Sequence, residues 1–251
     1  MPAAEGAIPS LWFDELESTN AEARRRAEAG EGGPLWIAAR RQTAGRGRRG
    51  RAWEAGQGNL AATLLTTSFK PAAEAAQLSF VAALAVRDLA RGYVPGALVR
   101  LKWPNDLLVS GAKAAGILIE SGKRDDGELW LAIGVGVNLA SAPEGLEYRA
   151  TSLAAHLGPD AAAAPSPEAA LGVLSAAFAH WLLVWDRDGF EPLREEWTGS
   201  AHGLGGRCIA RLGDRQVEGV AVALDGGGAL VLCLDSGELQ RITAGDVFFG
   251  N

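Results

Sequence analysis

The sequence has few of the residues that build disulfide frameworks or metal sites. Among 251 residues there are two cysteines, Cys208 and Cys233, and three scattered histidines without the spacing of metal ligands. Two cysteines exclude a disulfide framework and are typical of a reducing compartment, so we expect a cytoplasmic protein. No apolar run approaches the roughly 20 residues of a membrane span, and the first residues, MPAAEGAIPS, do not resemble a signal peptide. We therefore expect no membrane partner.

The sequence also has fewer basic than acidic residues. Lysine and arginine number 24 against 30 aspartates and glutamates, which gives a formal net charge of -6. Proteins dedicated to nucleic acid usually have a basic domain, so this balance argues against a nucleic-acid partner. Hydrophobic residues at 48% and charged residues at 22% are typical of a globular enzyme. The length is sufficient for one or two domains with a substantial core.

One segment, residues 41–53, departs from the acidic balance. Its sequence, RQTAGRGRRGRAW, has five arginines, three glycines and no acidic residue. Glycine lets the backbone bend closely around a ligand, and arginine grips anionic oxygens. Taken alone, the segment is a solvated basic loop, an RNA-binding segment or a loop that binds phosphate. Its single copy between two apolar strands favours phosphate. Without an anion its charges repel one another, so we expect a mobile loop.

The hydrophobic pattern predicts a mixed α/β domain over residues 1–204, followed by a small SH3-like β-barrel over residues 205–251. Helices are expected at 19–29, 71–91 and 171–185, and strands at 35–43, 59–68, 99–102, 106–109, 114–121 and 128–139. Five short strands with tight turns and no intervening helix then follow, at 207–212, 215–224, 229–234, 238–242 and 246–249.

Polar residues at the ends of elements provide candidate site residues. The Ser-Thr-Asn run at 18–20 opens the first helix, with Thr19 and Glu22 at capping-box spacing. A helix cap and a role in lining a polar pocket are both expected of it, and the two roles are compatible. Lys102 ends an apolar strand at a proline stop, where its point charge is suited to neutralising a carboxylate or a phosphate. Asp106 is suited either to holding Mg²⁺ or to a salt bridge with Lys102.

Glycines on a later strand leave room beside the backbone. Gly134, Gly136 and Asn138 alternate along the strand and therefore lie on one face. The missing side chains let a ligand approach the backbone, where the Asn138 amide is available for hydrogen bonding. Gly116 is expected to leave room for a ligand in the same way. The indole of Trp53 is suited either to stacking on a base or to packing in the core.

Four motifs occur in the order GRGRRGRAW, KWPNDLLV, KAAGILIE and IGVGVNL. Together with Ser-Thr-Asn at 18–20 and Gln42, they resemble the motifs of the biotin–protein ligases over nearly the whole chain. The resemblance implies an α+β fold, with a mixed sheet flanked by helices as in class II aminoacyl-tRNA synthetases. It also implies a two-step reaction. Biotin and ATP, with Mg²⁺, give biotinoyl-5′-AMP and pyrophosphate, and a lysine of a biotin carboxyl carrier protein domain then displaces AMP.

The resemblance also implies roles for individual residues. The expected catalytic residues are Lys102 and Arg48, with Lys102 contacting the biotin carboxylate and the α-phosphate. The expected biotin-binding residues are Ser18, Thr19, Asn20, Gln42, Arg46, Gly47, Arg48, Lys102 and Gly116. The expected adenylate-binding residues are Arg46, Arg48, Trp53, Lys102 and Asn138. Asp106 is expected to bind the metal or to orient a lysine. Arg49 and Arg51 are expected to be solvated or to face the carrier.

Some members of this family carry an N-terminal DNA-binding domain and repress transcription. Here the Ser-Thr-Asn run begins at residue 18, so we expect the short form without that domain and without a repressor role. Many relatives join sheet edges, which allows a homodimer. The alternatives are a lipoate–protein ligase with the same adenylation chemistry, a nucleic-acid-binding protein that uses the arginine segment, and a biotin sensor that makes no AMP. The combination of GRGRRGR and KWPND favours biotin.

Overall fold

A seven-stranded mixed sheet forms the centre of the protein in the computed structural model, which describes residues 8–213 and 215–250. Its strands are β1 Ser10–Leu16, β2 Leu35–Gln42, β3 Leu60–Ser68, β4 Val99–Lys102, β5 Asp106–Val109, β6 Ala112–Lys123 and β7 Leu129–Val137. They are arranged in the order β1-β2-β3-β7-β6-β5-β4. Only the outer pair β1 and β2 is parallel, and every other pair is antiparallel.

Helices cover both faces of this sheet, because its central strands are apolar on both sides. The helices are α1 Thr19–Glu28, α2 Ala72–Ala75, α3 Leu78–Arg91, α4 Pro167–Asp188 and α5 Glu191–Gly199. Ile37 and Leu65 pack in one buried cluster with α1, whereas their strand neighbours Trp36 and Leu64 pack in the larger cluster with α3 and α4. The alternation of neighbouring residues between two cores follows from the period of two along a strand. The predicted α+β architecture is confirmed.

The helix α4 is long and apolar enough, by length and composition alone, to cross a membrane. Its buried residues recur every three or four positions and face the core, as Leu174, Phe178, Trp181 and Trp185 do. The Trp181 indole N–H donates to a carboxylate oxygen of Asp88 on α3 at 2.7 Å. Core helices of globular proteins can be equally long and apolar. The helix α4 has one buried face, which packs on α3.

The structure differs from the predicted elements at three places. The helix expected over 71–91 is two helices, since α2 ends at Ala75 and α3 begins at Leu78 with Gln77 at its N-cap. The edge strand β1 was missed because its residues are mostly exposed or half-buried and do not alternate cleanly. The helix α5 was missed because it is nine residues long and has a proline in its first turn.

A five-stranded antiparallel sheet follows α5, which confirms the prediction of a small all-β unit. Its strands are β8 Arg207–Leu212, β9 Arg215–Leu224, β10 Leu230–Cys233, β11 Leu239–Ile242 and β12 Asp246–Phe249, in the order β11-β10-β9-β8-β12. Its buried residues belong to the same hydrophobic cluster as α3 and β4. The Trp103 indole N–H also donates to the Gly228 carbonyl at 3.1 Å. This shared packing holds β12 against the ends of β4 and β5.

Candidate active site

A cavity of about 300 Å³ opens where the start of α1, the arginine segment, strands β4 to β7 and strand β12 meet. Most of the residues singled out in the sequence line it. They are Ser18, Thr19, Asn20, Gln42, Arg46, Gly47, Arg48, Trp53, Lys102, Asp106 and Gly116. The exception is Asn138, which follows β7 and is not among the lining residues. The cavity has a polar end, a cationic centre and an aromatic end.

The polar end is a hydrogen-bonded group around the first turn of α1. The Thr19 backbone N–H donates to Gln42 Oε1 at 2.8 Å, and the Thr19 hydroxyl lies 3.1 Å from the same oxygen. The Thr63 hydroxyl lies 2.8 Å from the Thr19 hydroxyl and donates to Asn20 Oδ1 at 2.7 Å. The Asn20 amide nitrogen donates to Glu120 at 2.7 Å. Buried polar groups of this kind are held in one arrangement by their partners.

The structure does not form the side-chain cap expected at residues 18–20. Ser18 occupies the N-cap position, but its side chain makes no capping hydrogen bond. The expected capping box does not form either, because Glu22 bonds to Arg25 and Arg26 in the next turn. These side chains are therefore available to the pocket rather than to the helix end.

The cationic centre contains two lysines on neighbouring strands. Lys113 on β6 approaches Asp106 Oδ1 at 2.6 Å, as an ion pair rather than an aligned hydrogen bond. Lys102 on β4 faces Asp106 in the strand register, but the expected salt bridge between them is not formed. Within residues 8–213 and 215–250, Lys102 has no carboxylate at ion-pair distance. Its ammonium instead lies 5.7 Å from the Phe248 ring.

The metal role expected for Asp106 does not fit this arrangement. Its carboxylate is already paired with Lys113, and a cation at the same oxygen would meet the ammonium. The part of the chain that the structure describes has no group of three or more histidine, cysteine, aspartate or glutamate side chains able to hold a metal. The contact that the structure gives to the Asp106 carboxylate is the ion pair with Lys113.

Burial changes the acid–base properties of the cationic centre. Removal from water lowers the pKa of Lys102, and Asp106 opposes this shift whereas the neighbouring Lys113 adds to it. Burial likewise lowers the pKa of the Arg48 guanidinium, with Asp246 opposing the shift. Both groups are cations in a site that solvates them poorly. An anionic ligand would restore the missing stabilisation.

The arginine segment folds back as a tight loop tied to the C-terminal sheet. The Trp53 N–H donates to the Gly45 carbonyl at 2.9 Å and closes the loop. Asp246, on β12, accepts from Arg51 at 2.5 Å and from Arg49 at 3.3 Å. Arg49 and Arg51 are therefore ion-paired with Asp246, while their side chains stay 40% and 60% exposed.

Two further arginines of this segment line the cavity. Arg48 donates to Asn105 Oδ1 at 3.3 Å and to the Gly245 carbonyl at 3.2 Å. The Asn105 amide nitrogen in turn donates to the Ile117 carbonyl at 2.6 Å. Arg46 is exposed at the mouth of the cavity. With Arg51, which is paired with Asp246, the loop places three guanidinium groups at the cavity.

The aromatic end is built on the glycines of β6 and β7. A Cβ on Gly136 would overlap the Trp53 indole, and a Cβ on Gly116 would lie 3.2 Å from the same ring. A Cβ on Gly134 would overlap the Asn20 amide. The glycines were expected to admit a ligand to the backbone. In the structure Gly134 and Gly136 admit side chains of the protein itself, which then line the cavity.

Asn138, which follows β7, is a buried polar residue. Its side-chain nitrogen donates to the Thr151 carbonyl at 3.0 Å, and its backbone N–H donates to the Ala114 carbonyl at 2.8 Å. Its Oδ1 is buried and has no hydrogen-bond donor among the residues that the structure describes. A buried acceptor without a donor is costly, but Asn138 is not among the residues that line the cavity.

Several site residues were not identified from the sequence. They are Thr63, Asn105, Lys113, Glu120, His202, Asp246 and Phe248, of which all but Thr63 and Glu120 line the cavity. Lys113 and Glu120 lie within the KAAGILIE motif, so its charged ends were an available signal. Lys113 lies between two aromatic rings, 5.6 Å from the centroid of Trp53 and 5.4 Å from that of Tyr148.

A polar pocket that leads through a cluster of cations to an indole is the arrangement expected in a ligase that activates an acid with a nucleotide. Residues 12–138 match the profile of the biotin/lipoate A/B protein ligase family, and residues 203–250 match the biotin protein ligase C-terminal domain. The chain belongs to the biotin/lipoate A/B protein ligase family.

Individual proteins resemble the chain over most of its length. It is 45% identical over 237 residues to a biotin–[acetyl-CoA-carboxylase] ligase of Paracoccus denitrificans, which covers 93% of this chain and 98% of the relative. The corresponding ligase of Mycobacterium tuberculosis is 35% identical, with 92% and 85% covered. Among solved structures, the biotin protein ligase of Aquifex aeolicus in complex with biotin and ATP superposes with a TM-score of 0.77 at 24% identity, covering 96% of this chain and 98% of that one. That superposition shows a shared fold.

Proposed function

We propose that the protein is an ATP-dependent biotin–protein ligase. It joins biotin to ATP, forming biotinoyl-5′-AMP and pyrophosphate. It then transfers the biotinoyl group to the ε-amine of a lysine on a biotin carboxyl carrier protein domain and releases AMP. The single observation that carries the proposal is a cavity whose polar, cationic and aromatic parts match the three parts of the intermediate, which are the ureido ring, the acyl phosphate and the adenine.

The cationic centre supports the adenylation step. The carboxylate of biotin and the α-phosphate of ATP are both anionic and repel each other as they approach. Lys102, Lys113 and Arg48 line the cavity where these groups would meet. Cations fixed at the position of developing negative charge lower such a barrier, typically by about 3–4 kcal/mol for each well-placed donor.

The polar end favours biotin over lipoate. Both acids are activated by the same chemistry, but biotin ends in a ureido ring with two N–H donors and a carbonyl acceptor, whereas lipoate ends in an apolar dithiolane. Ser18, Thr19 and Asn20 are buried polar side chains at this end. A dithiolane would present no N–H to the lone pairs that the Thr19 oxygen offers to the cavity, at a cost of about 1–3 kcal/mol for an unsatisfied group.

The aromatic end supports nucleotide binding. The Trp53 indole lines the cavity and offers a flat surface on which a base can stack. We infer that Mg²⁺ enters with the triphosphate as part of the substrate, because Asp106 is paired with Lys113.

The proposal is tested by incubating the purified protein with biotin, MgATP and a biotin carboxyl carrier domain, followed by mass spectrometry. The expected product is a carrier heavier by one biotinoyl group on its acceptor lysine, and a carrier with that lysine replaced by arginine should remain unmodified. Lipoate in place of biotin should give no product. Modification by lipoate alone would establish the lipoate ligase instead, and binding of biotin without AMP formation would establish a sensor.

A further inference from the structure

The hydrogen bonds at the polar end of the cavity have a fixed direction, set by a residue outside the cavity wall. The Glu120 carboxylate can only accept hydrogen bonds, so the amide nitrogen of Asn20 must face it, at 2.7 Å. The Leu118 carbonyl, another acceptor, lies 3.5 Å from the same nitrogen. The amide oxygen of Asn20 therefore points the opposite way, into the space opened by Gly134.

The direction passes from Asn20 to Thr63. Asn20 Oδ1 is an acceptor 2.7 Å from the Thr63 hydroxyl, so Thr63 must donate its hydroxyl proton to Asn20. Thr63 is fully buried, so no water competes for that proton. The Thr63 oxygen can then only accept from its other neighbour, the Thr19 hydroxyl at 2.8 Å.

The direction of these hydrogen bonds also fixes the hydroxyl proton of Thr19, which lines the cavity. Its proton goes either to Thr63 at 2.8 Å or to Gln42 Oε1 at 3.1 Å. Gln42 Oε1 already accepts from the Thr19 backbone N–H at 2.8 Å, which favours Thr63. In both cases the proton is used inside the protein, and the Thr19 oxygen offers a ligand only its lone pairs.

We infer that Glu120 and Thr63 are positioning residues that fix Thr19 as a hydrogen-bond acceptor, so that the pocket selects an acid presenting an N–H donor. The inference rests on the proposed function, in which the ureido N–H of biotin is that donor. Glu120 and Thr63 need not touch the ligand to act in this way. Their effect is on selectivity rather than on the shape of the pocket.

Reversal of the hydrogen-bond direction is the test. Glutamine at position 120 can donate as well as accept, so in Glu120→Gln the amide of Asn20 is free to turn over and the Thr19 proton is released toward the cavity. Thr63→Val keeps the side-chain shape but removes the hydroxyl that draws on Thr19. Thr63→Ser retains the hydroxyl. Thr67→Val, four residues further along the same strand, is the matched control.

The measurement is calorimetric affinity for biotin and for analogues in which each ring N–H in turn is replaced by oxygen. An acceptor facing an acceptor should cost the wild-type protein about 5- to 150-fold in affinity for one of these analogues. That preference for biotin should fall at least about fivefold in Glu120→Gln and Thr63→Val and stay unchanged in Thr63→Ser and Thr67→Val. If a variant loses the same affinity for biotin as for the analogue, the substituted residue has only a structural role and the inference is wrong for that residue.

The outcomes separate the inference from the proposed function. If the wild-type protein binds and adenylates biotin but the preference is the same in Glu120→Gln and Thr63→Val, the inference is wrong and the function stands. If the wild-type protein binds neither biotin nor its analogues, both the inference and the proposed function are wrong. If Glu120→Gln does not fold, the nearly isosteric pair Thr63→Val and Thr63→Ser decides the question.

Discussion

Removal of Lys113 should slow adenylation more than removal of Lys102, because the two lysines differ in what they leave behind. Lys102 has no ion-pair partner in the described residues, so its loss removes one positive charge. Lys113 is paired with Asp106 at 2.6 Å, and its loss also uncovers a carboxylate inside an anion-binding cavity. Both members of the pair are largely buried, with side chains 19% exposed, so solvent screens the uncovered charge only partly.

The magnitude follows from two terms. The loss of one well-placed cation costs about 3–4 kcal/mol in the transition state, or roughly 10²- to 10³-fold in rate. A carboxylate about 6 Å from a phosphate oxygen repels it by about 3 kcal/mol at an effective dielectric constant of about 20. Partial screening reduces the second term, so Lys102→Ala should lose about 10²- to 10³-fold and Lys113→Ala about 10-fold more.

The assay is single-turnover release of pyrophosphate at saturating biotin and MgATP, with the double variant Lys113→Ala/Asp106→Asn as the decisive sample. Neutralising Asp106 should recover about 10-fold of the rate lost in Lys113→Ala, a coupling expected of neighbouring charges. Lys123→Ala, at the exposed far end of β6, should have the wild-type rate. A double variant as slow as Lys113→Ala would refute the repulsion argument, and a larger loss in Lys102→Ala would reverse the order of the two lysines.

Three further predictions concern the same cavity. Because burial lowers the pKa of Lys102, kcat/KM for adenylation should fall as the pH rises, starting below the ordinary lysine range near 10.5; Lys102→Arg should move this limb to higher pH. Asp246→Asn removes the carboxylate that pairs with Arg49 and Arg51, and ion pairs at the surface contribute about 0.2–1 kcal/mol each. Trypsin should therefore cut the loop about 5-fold faster. An unchanged rate of cutting would show that the ion pairs do not hold the loop. In Gly136→Ala the new Cβ displaces Trp53, so KM for ATP should rise by about 10-fold or more, the effect of about 1.4 kcal/mol, while biotin affinity changes less.

Local patterns in the sequence predicted most of the fold. The helix α1, the hairpin between β5 and β6 and all five C-terminal strands lie within a few residues of their expected positions, since each has clear periodicity or a clear turn. The Ser110-Gly111 turn, for example, has positive φ at both residues, as a tight hairpin requires. The missed elements β1 and α5 derive their stability from neighbours rather than from their own pattern.

The site was harder to predict because several of its residues act through contacts between distant parts of the chain. Lys102 was identified from its place at a strand end. Lys113 and Asp106 lie on the same predicted hairpin, but its register, which shifts between Leu107 and Leu108, was not visible in the sequence. Thr63 lies in an apolar strand and is typical of strand composition. Its role depends on α1 packing beside it, and such long-range contacts are not visible in a local pattern.

The position of Asp246 changes the argument about the arginine segment. A cluster of arginines without an anion was expected to repel itself and to be mobile. In the structure the C-terminal sheet supplies that anion, because Asp246 accepts from Arg49 and Arg51 and lies 4.0 Å from Arg48. Its side chain is only 14% exposed, so it holds its charge close to the cavity. The single carboxylate of Asp246 offsets one of the positive charges of the loop and ties the loop to the small β-domain, and the remaining positive charge faces the cavity where we propose that the phosphate and carboxylate of the intermediate bind.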